Sequence, residues 1–572
     1  MEEQHSNRSS LLEPIRPLKH PKIKPLLHVN PRTNTIEENS LQDFLRSHSK
    51  ISKALNSPIN NPPSRQYIKH FLKILQTQSH PSSASYNIHP SRAFQNCYFS
   101  SKIKNLRALS SLKLELYGDA TFRKPLKFAI KSLASLKELT DFQIRFIFYD
   151  LTDSRELHKL FKRLRTLKKL TSFSFEMVSC VRFKASDFKT FFSYLSKFTQ
   201  LQALKLSFSN SIQDNNQCFH ALIPALSSLK SLSQIDFNIG GIGSLQAENL
   251  FKLFMTLGNM KWLTDLTLGL EDCEIINKNP APEPLSKSFQ YLNASSIRKI
   301  SLRPYIENES LVHISQALKK FTSLKILTLN LSDSQQITNH DMTGLSSALS
   351  QLVSLDSLTI AVSSYVQTRI TVQSVASALK SLQNLVHLKL VCNGLRTTDH
   401  EQILLFSSSL KALKSSLKFL DLDFSKQLSI SDLTIQDLAE AVKELVLLKH
   451  LSLAFNRISA VTSKGLGAIS FAVQNLSNLS HLALSFWNNK GINDMSTLAH
   501  VLRHIAALYS VDFNFGRCKN LKLEGNDLKS LFDALREVNH VGEISLNIPR
   551  SQEVEEEVKR LKLKKSVNIS YL

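Results

Sequence analysis

The chain has 572 residues, of which 21% are charged and 42% are hydrophobic, and its formal net charge is +24. Because this length exceeds the size at which one compact core stops growing, the chain is either several domains or one repeat array. The excess of positive charge favours an acidic partner such as nucleic acid, an anionic membrane surface or an acidic protein.

Residues 1–65 contain recurrent prolines and little helical periodicity, which predicts a disordered, basic tail. Its residues 16–24 are basic and interrupted by proline, and a solvated leader is favoured over a nuclear-targeting or anion-binding segment. Residues 66–105 are predicted as a helical N-terminal cap, because Ile68, Phe71, Leu72 and Leu75 have the spacing of one helix face.

A repeat of about 31 residues then runs through residues 106–549. Each copy is marked by the first buried residue of a short alternating segment that predicts a strand. The markers are Leu112, Phe142, Phe173, Leu204, Ile235, Leu266, Ile300, Leu327, Leu358, Leu388, Leu420, Leu451, Leu482, Val511 and Ile544. Fifteen copies at a nearly constant step predict a solenoid, in which each unit buries its apolar face against its neighbours.

Within each unit the strand is followed by a polar loop and then by apolar residues at helical spacing, as in residues 465–479. This order predicts an α/β solenoid with a parallel sheet on the concave face and helices on the convex face. Residues 550–572 are predicted as a charged C-terminal cap, with a helix over residues 553–565 and an edge strand over residues 567–571.

Residues 448–458 read LKHLSLAFNRI, and residues 385–395 have the same LxxLxLxxNxL pattern. The unit resembles the long, helix-containing leucine-rich repeat of ribonuclease inhibitor and its relatives. In lysine and serine content the chain also resembles large repeat families of ciliated protists. The resemblance implies a horseshoe and a protein-binding function, with the pattern's Asn bonding the backbone of the turn. That position is Ser425 in one copy and Gly240, Trp487 or Pro549 in others, so less regular turns are expected.

No sequence pattern indicates an enzyme, because the chain has no GxxxxGK[ST] phosphate loop, HExxH helix or GxSxG turn. No cofactor is predicted, and the glycine cluster at residues 240–243 is interpreted as a flexible loop. His387, His450 and His481 precede their strand cores on the inner face. A shared metal ion is one hypothesis for the last two, and a mildly polar surface is favoured over it.

The six cysteines are scattered and none lies at metal-ligand spacing from another, which indicates small apolar side chains in a reducing compartment. The N-terminus shows no secretory pattern, and no apolar run reaches membrane-spanning length. We therefore expect a cytoplasmic protein, with a nuclear location as the alternative, and no membrane span.

The inner-face columns are the residues one before, one after and three after each marker. They hold nine acidic and six basic residues, so this face does not resemble a nucleic-acid groove. The favoured function is a monomeric, non-enzymatic scaffold that binds a protein partner there. The candidate partner-binding residues are Lys113, Arg145, Lys205, Asp236, Arg303, Lys389, Asp421, Asp423, His450, His481 and Asp512.

Three alternatives stay open. One is a GTPase-activating protein of the Ran-GAP-like repeat type, for which Arg123 and Arg182 are the positional candidates. Another is a substrate adaptor for ubiquitin ligases, which would need an F-box-like module that residues 41–76 do not show. The third is a weak binder of nucleic acid or an anionic surface, through the basic tail and the lysines where helix gives way to strand. Lysines at that position also interact favourably with the negative end of the helix dipole, which is a structural reason for their presence.

Overall fold

The structure, a computed structural model, describes residues 35–36, 83–88, 109–117, 130, 133–147, 155–180, 185–208, 215–240, 243–270, 273–276, 284–304, 310–332, 334, 337–362, 371–395, 399–521, 526–537, 541–562 and 566–571. The chain divides into two compact units. The first comprises residues 1–149 and 155–170, and the second comprises residues 150–154 and 171–572.

The first unit is a parallel sheet with one described helix of several turns. Its strands are β1 (Thr35–Ile36), β2 (Ser83–Ile88), β3 (Ser111–Tyr117) and β4 (Asp141–Ile147), and helix α1 is Arg155–Leu164. Strand β2 pairs in parallel with both β1 and β3, and β3 pairs with β4. Strand β2 lies in the segment predicted as a helical cap, whereas the helix expected at residues 68–75 lies outside the described residues.

The second unit repeats strand, turn and helix. Its strands are β5 (Ser172–Val178), β6 (Ala203–Ser207), β7 (Gln234–Asn238), β8 (Gly243–Gln246), β9 (Asp265–Gly269), β10 (Cys273–Ile276), β11 (Lys299–Arg303), β12 (Ile326–Leu331), β13 (Ser357–Val362), β14 (His387–Cys392), β15 (Phe419–Asp423), β16 (His450–Ala454), β17 (His481–Ser485), β18 (Ser510–Asn514), β19 (Glu543–Ile548) and β20 (Ser566–Tyr571).

Its helices are α2 (Ala185–Leu195), α3 (Asn215–Ser227), α4 (Ala247–Gly258), α5 (Pro284–Phe289), α6 (Ser310–Leu318), α7 (Asn339–Leu349), α8 (Thr371–Leu379), α9 (His400–Leu410), α10 (Asp432–Val442), α11 (Ser463–Val473), α12 (Thr497–His504), α13 (Asn526–Glu537) and α14 (Gln552–Lys562). A short 3-10 helix, Lys411–Leu413, follows α9. Helix α14 and strand β20 occupy the segments where the sequence predicts a last helix and an edge strand.

Strand register confirms the predicted repeat. Within each unit the marker residues of neighbouring strands are direct partners, so Leu420 pairs with Leu451, and Leu451 pairs with Leu482. The markers of β9 and β11 also stay in register, although the sequence step between them is longer. The chain is therefore an α/β leucine-rich-repeat solenoid built on a parallel sheet.

The core lies between the strands and the helices. In β16, Leu451 and Leu453 are almost fully buried, and Phe455 follows them inward. Burying each such side chain stabilises the fold by about 1.5–3 kcal/mol. Near the start of the second unit the core is aromatic instead, with Phe175 at 4.7 Å from Phe191, measured between ring centroids. Cys180, Cys218, Cys392 and Cys518 are free and buried, as the sequence predicts.

Two consecutive repeats depart from the predicted pattern of one strand per unit. After β7 the chain forms β8, and after β9 it forms β10, and these two short strands pair in parallel as a separate sheet. The sequence predicts a flexible loop at the glycine cluster of residues 240–243. Gly243, the last residue of this cluster, is instead the first residue of β8. A short strand is stable only when it pairs with another strand. The partner of β8 lies one repeat away in β10, and the apolar periodicity of neither segment predicts this pairing.

Several helices begin at side chains that cap the helix or join it to the neighbouring repeat. At the start of α7, Thr338 and Asp341 form a capping box. The buried Asp341 carboxylate also accepts a hydrogen bond from the Val312 amide in the preceding helix. Three repeats further along, Asp432 in α10 accepts the amide protons of Thr462 and Gly465 at the start of α11. Because of these bonds, the helices are held at fixed spacing beside the sheet.

Candidate functional site

The side chains one before, one after and three after each marker form three columns across the strands, which we call the outer columns of the sheet. Most of them are partly exposed, whereas the markers between them are buried. All of the predicted partner-binding residues belong to these columns. The structure divides them between the two units and pairs many of the charged ones.

In the first unit, Lys113 and Arg145 converge on one carboxylate. Glu115 lies 2.9 Å from the Lys113 ammonium and 3.8 Å from the Arg145 guanidinium. The sequence placed Glu115 among the solvent-facing acids, but the residue is only 7% exposed. That expectation is wrong because the flanking cations fold over the carboxylate. The two cations therefore form part of an ion-pair network.

In the second unit, Lys205 lies between two acids of the adjacent strands, at 2.9 Å from Glu176 and 3.7 Å from Asp236. Burial raises the pKa of the Asp236 carboxyl and Glu176 adds to the rise, whereas Lys205, Arg303 and Lys299 oppose it. The ion pair and the raised pKa are compatible, because partial burial outweighs the attraction of the nearby cations. Arg303 is exposed at the end of β11.

Strands β14 and β15 place Lys389 beside Asp421, with 2.7 Å between ammonium and carboxylate. The Asp423 carboxylate accepts the amide proton of Ser425 at 2.9 Å, so one of its oxygens holds the turn that follows the strand. Asp512, on β18, is exposed. Of these acids, Asp512 is therefore the one best placed to meet a partner.

A row of rings crosses four adjacent strands in the outer column that precedes the markers. His387, Phe419, His450 and His481 follow one another at centroid distances of 5.5, 4.1 and 5.7 Å. Tyr509, just before β18, continues the row at 6.3 Å from His481 and is 46% exposed. We call these five residues the ring column. The sequence alone indicates the three histidines but not Phe419, because Phe419 looks like an ordinary apolar strand residue.

Ring geometry favours stacking over metal binding at this site. The Phe419 and His450 planes differ by only 8°, and those of His450 and His481 differ by 30°. Among the described residues there is no group of three or more His, Cys, Asp or Glu side chains that could hold a metal ion. Burial lowers the pKa of His450, and His481, Lys389 and His387 add to this effect, whereas Asp421 opposes it.

Beyond the strands, each turn in this region contains one residue in the left-handed conformation, six positions after the marker. Gly394 has φ 75°, and Lys426, Arg457, Asn488 and Arg517 have φ between 57° and 61°. The backbone hydrogen bonds of the sheet continue through these residues, since the Lys426 amide donates to the Asn456 carbonyl oxygen and the Arg457 amide to that of Trp487. The turns are therefore stacked as regularly as the strands.

Buried amide side chains hold this stack one position further along. Asn489 is fully buried, accepts the Ile458 amide proton at 2.6 Å and donates to the Phe455 carbonyl oxygen at 2.8 Å. Gln427 donates to the Cys392 carbonyl oxygen in the same way at 2.6 Å. The repeat pattern predicts this function for its Asn, which is Asn456 in the turn after β16. Asn456 does accept the Trp487 amide proton, but it is less buried.

Arginine side chains from two turns cover Trp487. The Arg457 guanidinium carbon lies 4.5 Å from the Trp487 ring centroid, and that of Arg517 lies 5.3 Å from it. Lys426, Lys490 and Lys519 lie in the same set of turns and are exposed. We call these five cations together with Trp487 the turn cluster.

A second basic region lies in the first unit, where helix gives way to strand. An open concavity of about 650 Å³ is lined by Lys137, Glu138, Lys162, Arg165, Thr166, Lys168 and Lys169. Glu138 pairs with Lys169, and the remaining cations are exposed. Two of the cations of this region, Lys162 and Arg163, belong to the last turn of α1, where a positive charge is favourable.

The fold and these surfaces define the class of the protein, a leucine-rich-repeat solenoid. No family model matches the sequence, and no curated protein matches it. Solved structures similar to the chain include the two that follow. A complex of Rad7 and Elc1 from yeast matches at 16% identity over 68% of this chain and 88% of that chain, with a TM-score of 0.35.

The leucine-rich repeat-containing protein LegL7 from Legionella pneumophila matches at 15% identity, over 68% of this chain and 97% of that chain, with a TM-score of 0.30. Likeness at this level transfers neither a partner nor an activity. In the described part of the chain, no helix is both long and apolar enough to cross a membrane. Arg123 and Arg182 lie outside the described residues.

Proposed function

We propose that the protein is a non-enzymatic scaffold that binds a protein partner through the outer columns of its sheet, with the ring column at the centre of the interface. The observation that carries the proposal is the continuous row from His387 to Tyr509, presented by four neighbouring strands and by the residue that precedes a fifth. Interface energy is concentrated in such aromatic side chains, because they bury much area at a small cost in conformational entropy.

The surroundings of the ring column suit this function. Lys389 and Asp421 are already paired beside it, so a partner would cover them without leaving a charge unpaired. Exposed Asp512 lies at one side of the column and supplies a charge at the rim. The other predicted binding residues, such as Lys205, Asp236 and Arg303, would extend the same surface along the sheet.

The test is affinity capture with the immobilised full chain, followed by mass spectrometry. We expect Phe419→Ser combined with His450→Ser to lose partners that the unsubstituted chain retains. The control is Leu404→Ser combined with Phe471→Ser, which removes exposed apolar side chains from helices α9 and α11 and leaves the outer columns of the sheet unchanged. If the ring-column variant and the control recover the same partners in equal amounts, the sheet face is not the binding site.

A second candidate function is binding of an anionic surface through the concavity of the first unit. It is favoured by the exposed Lys137, Lys162, Arg165 and Lys168, which surround one shallow depression. Such binding depends steeply on salt, because it releases counterions from the polyanion. We expect the full chain to elute from heparin at lower salt when Lys162 and Arg165 are replaced by Gln. Equal elution of the variant and the unsubstituted chain would refute this function.

A further inference from the structure

We propose that the turn cluster is a binding site for an acidic, extended peptide segment of a protein partner. The proposal rests on the proposed scaffold function and names the chemistry of one part of the partner. The first observation is composition. The first five residues of the turns after β15, β16, β17 and β18 contain Lys426, Arg457, Lys490, Arg517 and Lys519, and none of these twenty positions is acidic. The charge is therefore local and uncompensated by the turns themselves.

The second observation is that the cations are free to meet a ligand. Within the described residues, none of the five side chains forms an ion pair, whereas the lysines of the sheet face, Lys205 and Lys389, do. Arg457 and Arg517 instead lie over Trp487. A guanidinium held against an indole ring keeps its N–H groups directed outward, and its planar shape matches a carboxylate with two parallel hydrogen bonds.

The third observation is the backbone conformation beneath the cations. Lys426, Arg457 and Arg517 have φ of 61°, 59° and 60°, in a region that costs a side chain with a Cβ atom about 1–2 kcal/mol and that glycine adopts freely. Gly394 occupies the equivalent position one turn earlier. Long cations at three such positions point to a role for their side chains, since glycine would serve the turn at lower cost.

The turns are also rigid before any ligand arrives. The buried side chains of Gln427 and Asn489 bond the backbone of adjacent turns, and the left-handed residues continue the hydrogen-bond ladder of the sheet. Rigid placement of the charges lowers the entropy that a partner must give up on binding.

Spacing and neighbourhood indicate a peptide and disfavour a nucleic acid. The turns of Arg457 and Arg517 are separated by two strand spacings, about 10 Å, which equals the span of about three residues of an extended chain. Both arginines lie over the Trp487 ring, so a base would have to displace a guanidinium in order to stack there. Asp423 and Asp512 on the adjacent sheet would repel a continuous polyanion. Leu428, 77% exposed beside Lys426, suits an apolar side chain among the acids.

The test uses the purified full chain and a short fluorescein-labelled peptide of glutamates with one leucine, with fluorescence anisotropy as the readout. The same peptide with glutamine in place of glutamate, and a single-stranded oligonucleotide of similar length, complete the set of probes. We expect the glutamate peptide to bind and the other two to bind more weakly. Added salt should weaken the glutamate complex only in part, because stacked, bidentate arginines are less screened than free surface charges.

The decisive variant is Arg457→Gly combined with Arg517→Gly. Glycine suits both backbone conformations, so we expect a thermal midpoint equal to or above that of the unsubstituted chain, together with peptide binding weakened about tenfold or more. The charge-matched control is Lys320→Gln combined with Lys414→Gln, exposed lysines where helix gives way to strand, and it should bind the peptide normally.

Each remaining outcome has a defined meaning. Equal weakening in the charge-matched control would reduce the effect to net charge and overturn the proposal. Tighter binding of the oligonucleotide, lost in the glycine variant, would make the cluster a nucleic-acid site. The ring-column variant should still bind the glutamate peptide, so loss of partner capture and loss of peptide binding report on the two proposals separately.

Discussion

Replacing Asn489 by Ala should open the stacked turns locally. The side chain is fully buried and satisfies two buried backbone groups, the Ile458 amide and the Phe455 carbonyl. Alanine leaves both without a partner, at about 1–3 kcal/mol each, so we expect a loss of about 2–6 kcal/mol of local stability. The matched variant is Asn456→Ala, which removes the Asn of the repeat pattern. Because Asn456 is partly exposed and water can replace its side chain, we expect a loss of about 0.5–1.5 kcal/mol.

Hydrogen exchange followed by mass spectrometry is the suitable assay, because a repeat array need not unfold as one cooperative unit. A local loss of about 2 kcal/mol or more corresponds to exchange about 30-fold faster at the Ile458 amide in the Asn489 variant. The Asn456 variant should show a much smaller change in the same peptide. An equal or larger effect at Asn456, or no change at Asn489, would refute the assignment of the buried amide as the main turn-holding group.

Three further outcomes are expected. Phe175→Ala should lower local stability by about 3–5 kcal/mol, measured as faster hydrogen exchange in β5 and α2, because the side chain is fully buried among other rings. Gly491→Ala should lower the thermal midpoint, because its Cβ atom would lie 2.3 Å from the Val461 carbonyl oxygen, and an unchanged midpoint would contradict the close approach. The lowered pKa of His450, caused first by burial and then by His481, predicts lower stability in acid. The unfolded chain takes up this proton at a higher pH than the folded chain, so the thermal midpoint should be lower at about pH 5.5 than at about pH 7.5. The difference between the two midpoints should be smaller in His450→Phe.

The sequence predicts the repeat, the strand positions and the register, because these depend on a regular spacing of apolar residues such as Leu420, Leu451 and Leu482. It also predicts which side chains belong to the outer columns, since residues alternate strictly along a strand. The sequence does not predict the paired strands β8 and β10. Each has its partner about 30 residues away, and nothing in either segment alone requires the other.

The candidate surfaces divide in the same way. Local sequence identifies Lys389, Asp421 and His450 as outward-facing, but it does not show that the first two pair or that Phe419 completes a stack between two histidines. Those contacts join residues about 30 positions apart, and they exist because parallel strands bring equivalent positions of successive repeats together.

The turn cluster depends most on tertiary structure. In the sequence, Trp487 is a departure from the Asn of the repeat pattern, and Arg457 and Arg517 are isolated cations in separate loops. Stacking of the turns places both guanidinium groups over the indole ring. The one-dimensional repeat therefore determines the frame, because apolar periodicity is a local property. The arrangement of charges and rings on the frame is decided in three dimensions, because it depends on which repeats become neighbours and on how tightly their turns pack.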